Sequence, residues 1–298
     1  MKRVHKSSLF PITVLLASVG FLSESLAAEV TTVTELARRT HFHGISVDAS
    51  NPSRVRLATH HGYFEVDDKG RATLISTTQD DLMGFTPHPT QPSTLFSSGH
   101  PAKGGNLGFL RSDDGGRTWR KLSDGLGGPV DFHQMDVSRA DPTIIFGVYR
   151  DLQKSTDGGT TWTRVGPAPS GLIDLAASSL DTNTLYAATE TGLLKSEDGG
   201  RTWKSIHPSK QPVTSVDVTS AGDVVAFVIG TGLIRAPEKN LNWEVVSNAF
   251  GSAYVLHFAT GQRKTAPLYV ATYDSARKTQ AILISRDGGA SWKPLGSE

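Results

Sequence analysis

The chain has 298 residues, a net charge of +1 and no cysteine, which excludes a disulfide-stapled domain and a lipid-anchored cysteine. Charges of both signs are interspersed without the basic stripe or acidic tail that would point to nucleic acid. This length admits one large β domain or two ordinary ones.

In chain order, Lys2, Arg3 and Lys6 precede an apolar run from Leu9 to Leu22, and Ser25-Leu26-Ala27 offers small residues at a cleavage site. That order predicts a secretory signal over residues 1–27, cleaved near Ala27 or Ala28. The run is about fourteen residues, short of the roughly 20 that a membrane span needs, and no later segment comes closer. Removing residues 1–27 takes away Lys2, Arg3, Lys6 and Glu24 and leaves a net charge of about −1. A cysteine-free exported chain fits a bacterial periplasm or exterior.

From residue 28 to 298 the chain repeats itself. Residues 29–40, including Val30–Thr34, precede the first copy and are expected to supply a ring-closing outer strand. Copies begin at His41–Asp48, Asp81–His88, Asp131–Ser138, Gly171–Ser178, Pro212 and Ser252. The fourth shows the grammar best: an inner strand at Gly171–Ser178, a turn at Asp181–Asn183, strands at Leu185–Thr189 and Gly192–Lys195, a Gly-Gly turn and a last strand at Trp203–Ile206.

Four octets punctuate the copies: 112–119, 155–162, 196–203 and 285–292, all reading Ser-x-Asp-Gly-Gly-x-Thr/Ser-Trp. Asp114, Asp157, Asp198 and Asp287 can accept hydrogen bonds from their own turn, and the paired glycines supply its positive φ angles. Trp119, Trp162, Trp203 and Trp292 then open the next strand with a large apolar wedge. An Asp spent on its own turn is not free for a substrate, so the octets read as scaffold. The first copy keeps only Asp67-Asp68-Lys69-Gly70 of this pattern, and the fifth keeps Trp243 without the Asp and Gly residues.

The octet resembles the BNR or Asp-box repeat of propellers in the sialidase superfamily, in sortilin-type receptors and in many exported bacterial proteins. The resemblance implies an all-β fold, a single β-propeller of four-stranded blades, and no particular activity. Six blades fit the spacing, with seven as the competing count.

Seven of the nine histidines beyond residue 27 (His41, His43, His60, His61, His88, His100 and His133) fall in about one third of the remaining chain. Aligning inner strands puts His43, Met83 and His133 in one column with Ile173, Thr214 and Tyr254. Two residues earlier stand His41, Asp81 and Asp131 with Gly171, Pro212 and Ser252. A period of two points both columns the same way. A further column at the ends of the second strands reads His60, His100, Arg150, Glu190, Gly230 and Tyr273. Antiparallel pairing brings all three to one rim, opposite the Asp-boxes.

Imidazole and carboxylate converging in an exported chain predict a transition-metal site with His41, His43, His60, His100 and His133 as ligands, supported by Asp81, Asp131 and Met83. The thioether tilts the expectation to copper, with zinc next. Nothing suggests a nucleotide cofactor, because the Gly-rich stretch 104–108 has no strand-loop-helix frame. The role would be metal binding, buffering or delivery, with metal-dependent redox chemistry as the catalytic alternative.

Two other functions compete. Asp81 and Asp131 could be the acid and base of a glycoside hydrolase-like protein, or hold a glycan. The sialidase pattern itself is not matched: the aromatic-Arg-Ile-Pro sequence is missing and the rim offers Arg150 in place of an Arg triad. Alternatively, the ring could be a docking scaffold for a protein partner, which would need an exposed apolar patch.

Overall fold

The computed structural model describes Met1 and residues 30–261 and 266–297. Residues 2–27 of the expected signal, and its cleavage point, lie outside the described residues. The chain is a six-bladed β-propeller, every blade an antiparallel sheet whose four strands run in chain order. The inner strands are Phe42–Val47, Asp81–Pro87, Gln134–Val137, Leu172–Ala177, Val213–Val218 and Ala253–Thr260. Each packs beside the next, and the sixth returns to the first.

Apolar burial holds the blades together. Each of the six blade interfaces has its own buried cluster: Tyr63 with Leu82, Phe109 with Phe132, Phe146 with Leu175, Tyr186 with Val216, Phe227 with Val255, and Tyr269 with Leu57. A fully buried Phe or Leu contributes about 1.5–3 kcal/mol relative to exposure.

The Asp-boxes add a polar latch and a steric key. In the second blade Asp114 Oδ1 accepts from Ser112 Oγ at 2.8 Å and from Thr118 N at 2.9 Å, and Thr118 Oγ1 donates to Oδ2 at 2.6 Å. Asp157, Asp198 and Asp287 repeat the arrangement. The second glycine also touches the preceding blade. A Cβ on Gly159 would lie 2.0 Å from the Phe109 ring, and one on Gly200 2.1 Å from Leu152. These glycines therefore serve blade contact as well as turn geometry. The boxes differ at the tryptophan: Trp119, Trp162 and Trp203 donate Nε1 to a box carbonyl, while Trp292 Nε1 is buried without a partner.

The degenerate boxes are replaced by other polar devices. Asp67 accepts from the amides of Lys69 and Arg71 in the first blade. In the fifth, Glu238 takes the Asp position and reaches across to accept from Ser179 N and Oγ.

Ring closure differs from the expectation. Val30–Thr32 is a fifth strand, added outside Arg71–Leu74 of the first blade, and Val33–Arg39 is a short helix instead of more strand. Thr32 caps that helix by accepting from Glu35 N. Its buried Val33 and Leu36 join the cluster between the sixth and first blades. Closure is thus by helix packing and by Gln280, which accepts from Phe42 N and donates to Thr40 O.

Five of the six inner strands carry a register shift near their rim end: between Phe42 and Gly44, Met83 and Thr86, Leu172 and Asp174, Val213 and Ser215, and Val255 and His257. A β-bulge of this kind adds one residue and re-aims the side chains around it.

Candidate metal centre

The site is laid down by the way each second strand meets the next blade. His60 directly follows Val55–Thr59, and His100 ends Leu95–His100. Each stands beside the residue that begins the following blade. His60 Nδ1 lies 2.6 Å from Asp81 Oδ2, and His100 Nε2 lies 2.9 Å from Asp131 Oδ2. One further imidazole, from the inner strand in blade one and from just before it in blade three, completes each group. His43 Nε2 is 3.1 Å from His60 Nδ1 and 3.5 Å from Asp81 Oδ1, and His133 Nε2 is 2.7 Å from Asp131 Oδ2.

The rim residues thereby form two triads, His43-His60-Asp81 and His100-Asp131-His133, each with ligand atoms within 4.8 Å of one another. The first lies between blades one and two, the second between blades two and three. Asp81 and His100 are cross-strand partners, so the two groups adjoin within blade two.

The hydrogen bonding of both groups is incomplete. His60 Nδ1 faces Asp81 and the His43 nitrogen together, and a single proton there cannot make full hydrogen bonds in both directions. His100 Nδ1 lies 2.8 Å from the Gly105 carbonyl, which can only accept, so Nδ1 carries the proton. Nε2 then faces Asp131 Oδ2. One oxygen of each carboxylate, Asp81 Oδ1 and Asp131 Oδ1, is buried without a hydrogen-bond partner, and Asp131 as a whole is 7% exposed. Such orphaned groups cost about 1–3 kcal/mol, more when charged, and a cation between the nitrogens and oxygens would relieve them. A ring N–H on a backbone carbonyl is also how ligating histidines are commonly oriented.

Protonation separates the triads further. Burial, then the adjacent His60, pulls His43 down to about 3, so its imidazole is neutral and free to ligate across the physiological range. His133 moves the other way, raised chiefly by its hydrogen bond to Asp131 against a smaller opposing effect of burial.

The other expected residues have different surroundings. His41 is exposed and outside both triads, its ring 5.3 Å from that of His60. The bulge explains the difference: it interrupts the alternation that would have pointed His41 and His43 alike. Met83 is buried on the same face of its strand as Asp81, two residues deeper. His88 Nδ1 accepts from Thr90 N and Gln91 N in its turn. In the sixth blade the register places Leu256 at the position of His43 and Tyr254 at that of His41, a shift of two from the sequence alignment. The tether of His100 to Gly105 had no signal in the sequence beyond a Gly-rich loop on the same rim.

No family model matches the chain, and no curated protein matches it. Among solved structures, the GH74 enzyme of Niastella koreensis is 17% identical with a TM-score of 0.58, over 86% of this chain and 45% of that one. The GH74 xyloglucanase of Xanthomonas campestris is 18% identical with a TM-score of 0.56, over 90% and 47%. The extracellular domain of a putative hybrid two component system of B. thetaiotaomicron is 14% identical with a TM-score of 0.51, over 86% and 40%. The chain spans less than half the length of each, and at these identities the likeness is one of fold.

Proposed function

We propose that this propeller is an exported metal-binding protein whose rim, over blades one to three, takes up a transition-metal ion. The observation that carries this reading is the convergence of two imidazoles and a carboxylate, each carboxylate retaining a buried oxygen without a hydrogen bond. Two nitrogens and an oxygen suit Cu(II) or Zn(II), with bonds of about 2.0–2.2 Å for zinc. Copper is the first candidate, because Met83 stands one pleat repeat deeper on the same face and a thioether favours the reduced ion. The role is binding, buffering or delivery. Export is supported by the n-region and apolar run of residues 1–27 and by the extracellular neighbour in fold. Among the described residues no helix is long and apolar enough to cross a membrane.

The hydrolase reading has less support. Asp81 and Asp131 each give an oxygen to an imidazole, which occupies both groups the acid-base pair would need. Two clefts, of about 90 and 100 Å³, lie outside the triads and fall below the roughly 300 Å³ of a small-molecule pocket. For the docking reading, the exposed large apolar residues of the described strands and loops (Val30, Leu126, Leu180 and Val245) are scattered over different blades.

Elemental analysis tests the proposal. Protein purified from the periplasm, stripped, then dialysed against Cu(II) or Zn(II), should retain stoichiometric metal that a His43→Ala/His133→Ala double variant does not. Wild-type protein free of metal after that treatment would refute it.

A further inference from the structure

Deepening that reading, on which it rests, we infer that the rim holds two metal ions side by side, one in each triad, rather than one shared among all the histidines. The triads are successive copies of one construction. In both, the imidazole at the end of a second strand reaches across an interface to the aspartate that begins the next blade: His60 to Asp81, then His100 to Asp131. The blade repeat that duplicates the scaffold has therefore duplicated the ligand pair. The third ligand comes from opposite sides of the interface, His43 from the blade of His60 and His133 from the blade of Asp131. That asymmetry keeps each triad complete without borrowing from the other.

Each group also has its own unsatisfied oxygen, Asp81 Oδ1 in the first and Asp131 Oδ1 in the second. Asp131 is more than nine-tenths buried, and its other oxygen already faces two imidazoles. A single ion in the first triad would leave this second orphan untouched, and the reverse holds for Asp81. Because Asp81 and His100 are cross-strand partners, their Cα atoms lie about 4.5–5.5 Å apart, which makes the two ions neighbours within blade two. Three protein ligands per ion leave a position for water or another ligand at each, on a rim where His60, His100 and His133 are 38%, 39% and 51% exposed.

The test is a titration of stripped, full-length protein with Zn(II), read by native mass spectrometry and repeated with Co(II) to read the ligand-field absorption. The expected result is two equivalents in the wild type and one each in His60→Ala and His133→Ala. None should bind to the double variant, and the two single-variant Co(II) spectra should sum to that of the wild type. One equivalent in the wild type, lost entirely on either substitution, would overturn the inference while leaving the metal-binding reading intact. No binding in the wild type would refute both. Thermal melts verify folding, and His60→Gln and His133→Gln replace any alanine variant that does not fold.

Discussion

At the inner-strand bulge, blades four to six carry Asp174, Thr214 and His257, and each is spent on its neighbour. Asp174 Oδ2 accepts from Val216 N at 3.0 Å, Thr214 Oγ1 donates to Val255 O at 2.6 Å, and His257 Nε2 meets Phe42 O at 3.2 Å. Blades one and two carry glycine instead. A Cβ on Gly44 would lie 2.8 Å from Phe85, and one on Gly84 would lie 2.1 Å from Phe132 O. In these two blades the glycine lets the next blade's Phe85 ring or Phe132 backbone pack close, and the polar side chains stand at the rim, where they face each other. Polar side chains around the bulge thus serve cohesion in blades four to six, whereas blades one and two have glycine there and carry their polar groups at the rim.

The contrast can be broken most severely at the scaffold. Gly159→Ala places a Cβ into Phe109 at a φ of +91°, and should cost about 3 kcal/mol or more in urea unfolding. A variant as stable as wild type would remove the steric role of the box glycines. Asp131→Asn should act on the opposite rim alone. Zn(II) affinity of the second triad falls by at least the ~100-fold seen for outer-shell changes, while the first triad keeps its ion and the urea midpoint barely moves. Loss of both ions would merge the two centres.

Smaller effects sharpen the division. His257→Ala removes one clamp and should cost about 1 kcal/mol in unfolding without altering metal uptake. On the box rim, hydroxyl and amide donors hold Asp157, Asp198 and Asp287 below the ordinary carboxylate range. A depressed folded-state pKa contributes stability above the unfolded value near 4, and that stability is lost as pH falls toward the depressed values. The acid limb of a pH-melting curve should therefore begin below about pH 4 for these groups and flatten in Asp157→Asn. Glu190→Gln, at the position of His60 in blade four, should leave stability within about 0.5 kcal/mol and metal uptake unchanged.

Much of this was legible in the sequence because the repeat is covalent. Four octets and the repeat spacing give blade type and the opposition of the two rims, with six blades fitting and seven competing until the structure shows six. The rim columns named His43, His60, Asp81, His100, Asp131 and His133 from alternation and antiparallel pairing alone. Their division into two triads was not legible, since it depends on which blade edge each side chain crosses. Nor was the bulge, a one-residue register shift with no composition of its own, which separated His41 from His43; the two-residue offset of the sixth blade likewise appears only in the strand pairing. The starting helix escaped because Val30–Thr34 reads as β-branched strand, whereas Thr32 caps a helix whose apolar face is needed against the sixth blade.

The most direct test of metal binding at this rim is crystallography of the Zn(II)- or Cu(II)-loaded protein, with anomalous diffraction across the metal edge. Two anomalous peaks are expected, one among His43, His60 and Asp81 and one among His100, Asp131 and His133, each about 2.0–2.2 Å from its ligand atoms for zinc. A loaded crystal with no peak on that rim, or with metal only at isolated surface histidines such as His88 or His207, would contradict that expectation.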